Sequence, residues 1–403
     1  MTATMHSPAG HLTSPQETAS RLQSIKVELS LMFYERHEAV EALMTAMLAG
    51  QHALLLGPPG TAKSALAREL TSRITGARYW ETLLSPFTDP KRIFGPIDVA
   101  ALTQGEYRQM LEGRATHAHV AFIDEIFKCG EASLNEMLAF LNERLYHPEA
   151  GGDPIRCPLI AAIAASNELG DEETAALYDR FLVRLQVQYL KEPTNFAAMI
   201  RRTPGRPRTA SPTRTTVDLA NLIAAVEQHV PAISVGDGLI ETISTLRSTL
   251  RNDEGLVVSD RRWDAAVSLM QASAFLAGRS AVEDPDLMVL QHVLWNTPEQ
   301  RATVERLVLQ TVDPNAGKVL DHRDAVHQLN AQLDGMKGKS QQAQTDWALK
   351  EGNPKIGRTI HELKEMRAKA EGAGRSTATI DEALAECDAL RNRILKDVLG
   401  VVL

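Results

Sequence analysis

Lys63 and Ser64 follow the turn Gly57-Pro58-Pro59-Gly60-Thr61-Ala62, a spacing that suits a phosphate-binding loop. In such a loop, backbone N–H groups and a helix N-terminus wrap a polyphosphate. Lys63 would reach the β- and γ-phosphates, the Ser64 hydroxyl would ligate Mg²⁺, and Ala65 would continue the helix. One position departs from the pattern. Glycine is wanted at 62, and Ala62 is unfavourable there if the backbone takes positive φ. About sixty residues on, the apolar run His119–Ile123 ends in Asp124-Glu125. Asp124 can hold Mg²⁺ through Ser64 or water, and Glu125 can orient and deprotonate an attacking water. A third apolar run ends in Ser166-Asn167. The Asn167 amide can bond a γ-phosphate or the water, or cap a strand-end turn.

These groups need strands that end together. Leu54–Leu56, His119–Ile123 and Leu159–Ala165 are short apolar runs of the kind buried in parallel sheets, and Arg78–Leu84 and Leu182–Tyr189 read as a second and a fifth strand. Helical patterns alternate with them: Thr18–Leu31, Glu35–Leu48, Ala65–Ile74, Ala132–Leu145 and Asp171–Tyr178. The segment 35–48, just before the loop, can pack over a purine or simply fill the core. The expected fold is α/β, with a five-stranded parallel sheet between helices.

Arg201–Arg214 holds five arginines, three prolines and no acid, and reads as a linker. Thr216–Trp295 is helical in pattern, and Ser259 or Asp260 can cap a helix Trp263–Ala277. From Pro298 onward three apolar stripes predict a helical bundle: Val319 to Met336, Ile356 to Met366, and Ile380 to Val398. The expected divisions are a disordered N-terminus over 1–16, a nucleotide-binding part over 17–192, an all-α lid over 193–297 and the bundle over 298–403. A net charge of −8 argues against a protein that coats nucleic acid. Cys129, Cys157 and Cys387 are odd in number and far apart, which fits free thiols in a reducing compartment. With no leader pattern and no run of membrane-spanning length, the expected location is the cytoplasm.

Taken together, these pieces resemble an AAA+ ATPase of the MoxR branch and, within it, the RavA type (regulatory ATPase variant A). The resemblance rests on the loop Gly57–Ser64, Phe94-Gly-Pro96, Gly105-Glu-Tyr107, Phe122-Ile-Asp-Glu125, Asn135–Arg144, Ala165-Ser-Asn167, Leu177–Phe181 and Ser259-Asp-Arg-Arg-Trp263. It spans roughly residues 18–300. Alanine before the lysine also occurs in that family. The resemblance implies that Asn167 is sensor 1, and that Arg180 is the arginine finger reaching a neighbouring subunit's nucleotide, with Arg184 a rival. It also implies that Arg261, with Arg262 the alternative, is sensor 2, completing the site from the lid of the same chain. It further implies ATP and Mg²⁺ as cofactors, a ring hexamer, chaperone-like remodelling and a von Willebrand factor A-domain partner. The RavA type carries a β-rich insertion in its C-terminal helical region, and no strand-rich segment is evident in Pro298–Leu403.

Overall fold

Five strands form one parallel sheet in this computed structural model. They are β1 (Ala53–Leu56), β2 (Tyr79–Leu83), β3 (Val120–Asp124), β4 (Ala161–Ser166) and β5 (Val183–Gln186), in the spatial order β2-β3-β4-β1-β5. The central strands are apolar on both faces because helices cover both. Register is what matters for chemistry. Leu56 lies beside Ser166 and Asp124 beside Ala165, so β1, β3 and β4 end level. The residues that follow them, Gly57, Glu125 and Asn167, leave from one edge.

The structure describes residues 12–148, 151, 153–170, 174–201, 214–313, 316–336, 338–372 and 377–399. The expected N-terminal tail lies mostly outside them, as does all of the Arg201–Arg214 linker except its two end residues. Helix α1 (Pro15–Met32) begins three residues before the expected Thr18, because Ser14 caps it, its Oγ accepting from Glu17 N at 3.2 Å, and Pro15 suits the first turn. Residues 15 and 16 are therefore helical. Helix α2 (His37–Leu48) is almost wholly buried. Helix α3 (Lys63–Thr71) is shorter than expected: Ile74 instead pairs with Val217 in a two-residue ribbon. Helix α4 (Glu131–Glu143) likewise stops early, and Leu145 pairs with Arg156.

The chain divides into two units, Met1–Val304 and Glu305–Leu403. The first also contains the lid helices α5 (Asp237–Asn252) and α6 (Asp260–Leu276). Helix α6 starts at Asp260, three residues before the expected Trp263, capped by the Ser259 hydroxyl. Arg261 and Arg262 therefore lie in its first turn. The second unit is built on α7 (Ala316–Gly335), α8 (Asn353–Gly372) and α9 (Ala378–Asp397). The three stripes meet in one core that includes Val326, Leu329, Ile356, Leu363, Ile380, Cys387 and Ile394. Among the described residues of this unit there is no strand. No described helix is long and apolar enough to cross a membrane.

Candidate functional site

The loop after β1 is shaped by close approach. Gly57 has φ +150, and a Cβ there would lie 1.9 Å from the Val187 carbonyl oxygen. Gly60 has φ +79. Ala62, directly before α3, takes the left-handed conformation at φ 68 and ψ 23. The glycine preference of the motif thus has a local cause, and Ala62 carries the backbone cost that glycine would avoid, of order 1–2 kcal/mol. The first-turn N–H groups of α3 have no intrahelical partner and are free to meet an anion.

Lys63 is buried, and its ammonium donates to the carbonyls of Gly57 and Pro58, the latter at 3.1 Å, and to Asn167 Oδ1 at 3.3 Å. Burial lowers its pKa, while the charges of Asp124 and Glu125 work the other way. Asp124 ends β3, and burial raises its pKa. Its Oδ1 accepts from Glu125 N at 3.1 Å. Glu125 sits at φ 52 and accepts from Asn167 Nδ2 at 2.7 Å. Its other oxygen lies 3.2 Å from the Lys128 ammonium. Lys63, Asn167 and Glu125 therefore form one hydrogen-bonded chain, with Asn167 donating to the Glu125 carboxylate and accepting from the Lys63 ammonium.

Beside this chain is a cavity of about 300 Å³, lined by Met32, Phe33, Gly60, Ala62, Tyr189 and Phe196 among others. Its apolar walls and position next to the loop suit a purine ring. Arg36 fixes one side, donating to Thr61 O at 3.3 Å and to Gln188 O. Glu35 fixes the other, accepting from the backbone N–H groups of Lys191 and Glu192 at 2.8 and 3.0 Å. Those hydrogen bonds hold its carboxyl below the usual range. Arg36 and Glu35 carried no sequence signal, since their partners lie about 25 to 157 residues away.

The arginines lie elsewhere. At the start of β1, the His52 ring meets the Leu141 carbonyl at 2.7 Å. Arg144 donates to Leu159 O at 2.9 Å and to Gly50 O. The C-terminus of α4 is thus tied to the edge where β1 and β4 begin. Next to Leu141, Asn142 Oδ1 accepts from both Arg180, at 3.1 Å, and Arg261, at 2.8 Å. This edge is separated from the phosphate loop by the length of the four-residue β1, about 13 Å at ~3.3 Å per residue. Arg261 is therefore not brought to Lys63 of its own chain, contrary to the expectation for a lid arginine, and stands with Arg180.

The rivals have other work. Arg184 is 0% exposed, lies 4.0 Å over the Tyr178 ring, and donates to Phe181 O and Trp295 O. Burial pushes its pKa down to about 10. Arg262 is buried and binds Asp179 at 2.8 Å and Asn296 Oδ1 at 2.6 Å. Both join lid to core. Asp179 is thus engaged by Arg262, which leaves Arg180 without a carboxylate.

Among the described residues no cluster of three or more His, Cys, Asp or Glu side chains could hold a metal alone. Mg²⁺ does not require such a cluster, because it keeps several waters and takes one or two protein ligands beside substrate phosphates. Ser64, in the first turn of α3, and Asp124, at the end of β3, are the residues that would hold it.

A family profile described as the MoxR domain in the MoxR-vWA-beta-propeller ternary systems matches residues 20–224. One described as an AAA lid domain matches residues 238–308. An uncharacterised protein of Methanocaldococcus jannaschii is 31% identical over 384 residues, covering 94% of this chain and 98% of its own. A second from the same organism is 33% identical over 312 residues, 76% of this chain and 80% of its own. A structural protein of the Acidianus two-tailed virus is 33% identical over 175 residues, 42% of this chain and 28% of its own. Among solved structures, a Cytophaga hutchinsonii protein whose ATPase assignment is itself inferred superimposes with a TM-score of 0.60 at 16% identity, over 74% of this chain and 94% of its own. That likeness speaks for the fold alone. With a profile match over half its length and a helical lid behind it, the chain belongs to the MoxR family of AAA+ ATPases.

Proposed function

We propose that the protein hydrolyses ATP at sites shared between neighbouring subunits of a ring, a hexamer by resemblance to its family. The observation that carries this reading is the separation of Lys63, Asp124, Glu125 and Asn167 from Arg180 and Arg261 at opposite ends of the sheet. One edge offers a phosphate cradle and a base. The other offers two cations with no carboxylate of their own. Stacking one chain's arginine edge on another's phosphate edge unites them.

In the proposed mechanism the loop from Gly57 to Ala65 binds the triphosphate through backbone N–H groups. The Lys63 ammonium, now on its own loop's carbonyls, turns to the β- and γ-phosphates. Ser64 and Asp124 would hold Mg²⁺, which when bound neutralises phosphate charge. Asn167 holds the Glu125 carboxylate, and Glu125 accepts a proton from the attacking water. Arg180 and Arg261 of the adjacent chain stabilise charge on the departing phosphoryl group.

Turnover would drive chaperone-like remodelling of a protein complex. A von Willebrand factor A partner is supported by the description of the matching family profile, and the cytoplasm is the compartment proposed. The RavA type is the proposed branch on its motifs. Its β-rich insertion is no part of the proposal, since the described residues of Glu305–Leu403 are helical.

Phosphate release by the purified protein with Mg²⁺ and ATP is the test. Glu125→Gln should still bind ATP while turnover falls about 10²- to 10⁴-fold. Equal turnover in the variant would remove the base. Absence of turnover in the parent protein would favour a nucleotide-gated assembly protein with little hydrolysis. Salt-sensitive DNA or RNA binding with stimulated turnover would favour a nucleic-acid-directed motor.

A further inference from the structure

Asn142 is the point where the two arginines meet. They come from elements far apart in sequence, 38 residues downstream and 119 residues downstream. Its amide oxygen has two lone pairs and receives one guanidinium on each. The helix end that carries it is held in place, because the neighbouring Leu141 carbonyl is bonded by His52 and Arg144 donates to Leu159 O. Neither Arg180 nor Arg261 has a carboxylate partner among the described residues, and Arg180 Nε is buried without a hydrogen bond. The adjacent Asp179 is taken by Arg262.

A neutral acceptor has a consequence that a carboxylate would not. It aligns two like charges without cancelling them. An acid in that place would form ion pairs that compete with any incoming phosphate. Building on the reading of a site shared between subunits, we propose that Asn142 is a positioning residue that sets Arg180 and Arg261 as a cationic pair for the triphosphate of the adjacent subunit. It touches no nucleotide of its own chain, whose loop lies at the far end of β1.

Two substitutions separate position from charge. Asn142→Leu removes the acceptor and leaves the arginines loose. Asn142→Asp keeps an acceptor and cancels one of the pair's two charges. Both should lower kcat for ATP about ten- to a hundred-fold, with KM for ATP unchanged, because the phosphate cradle is untouched. A kcat equal to the parent's in both variants overturns the proposal, as does a loss confined to KM. Each variant is then mixed with Lys63→Ala subunits, which lack the cradle but carry intact arginines. Activity should return, since the variant's cradle now faces good arginines. A folding defect would show no such rescue. If an Arg180→Ala and Lys63→Ala mixture regains activity but the Asn142 mixtures do not, the role given to Asn142 falls. If the Arg180 mixture also stays inactive, the shared-site reading falls and this proposal with it.

Discussion

Gly57 is the residue whose identity the backbone constrains most tightly. Its φ of +150 and the 1.9 Å approach of Val187 O to a Cβ leave no room for alanine. Gly57→Ala should destabilise the protein by at least about 2 kcal/mol, through strain at the loop and at the end of β5. A denaturant midpoint within error of the parent's would contradict this. Ala62 is the reverse case, a strained backbone that the chain tolerates. The placement of Asp124, Glu125 and Asn167 at strand ends, and of Lys63 and Ser64 after the turn that follows β1, was legible in the sequence, because apolar runs mark the strands and strand ends are where parallel sheets place chemistry. Asn142 was not legible. It sat in the run Asn135–Arg144, and nothing local marked it, since its meaning comes from two arginines in other elements. Arg261, expected to complete the site of its own chain, stands instead with Asn142 at the other end of the sheet, because sequence order carries no information on how the lid folds back.

At the scale of elements, His52 joins β1, β4 and α4. Its Nε2 meets Leu141 O at 2.7 Å and its Nδ1 accepts from Ala162 N at 3.0 Å, so the neutral ring is the form that fits. Burial pushes its pKa down to about 4, helped by the charge of Arg144. The unfolded chain holds that proton below an ordinary value near 6.5. The folded pKa is the lower one, so this contribution is full above about pH 6.5 and is lost as pH falls toward 4. It amounts to roughly 3 kcal/mol over that window. Urea unfolding at stepped pH, compared between the parent and His52→Gln, should show their stability difference shrinking by about that amount as the solution is acidified. A difference that does not vary with pH would refute the assignment. The three central strands were legible from continuous apolar runs, whereas the order of strands in the sheet and the helix ends were not. Alpha-helix α1 and α6 each start three residues early because Ser14 and Ser259 cap them, and a serine also fits a loop.

At the scale of the molecule, Lys63, Glu125 and Asn167 lie at one edge of the sheet and Arg180 and Arg261 at the other, which is the basis of the proposal that a second copy completes the site. The net charge of −8 leaves nucleic acid an unfavoured ligand for the assembly. The helical unit Glu305–Leu403 has its own core and, among its described residues, no group of three or more His, Cys, Asp or Glu that could hold a metal ion. The central claim is that one subunit's arginines serve another subunit's nucleotide. Its most direct measurement is ATP turnover by Arg180→Ala and Lys63→Ala proteins, each alone and then mixed in varied ratio. Each alone should be nearly inactive, and the mixture should regain part of the parent's rate, with a maximum at intermediate ratio. Mixtures no more active than the two variants apart, under conditions where they co-assemble, would contradict the account.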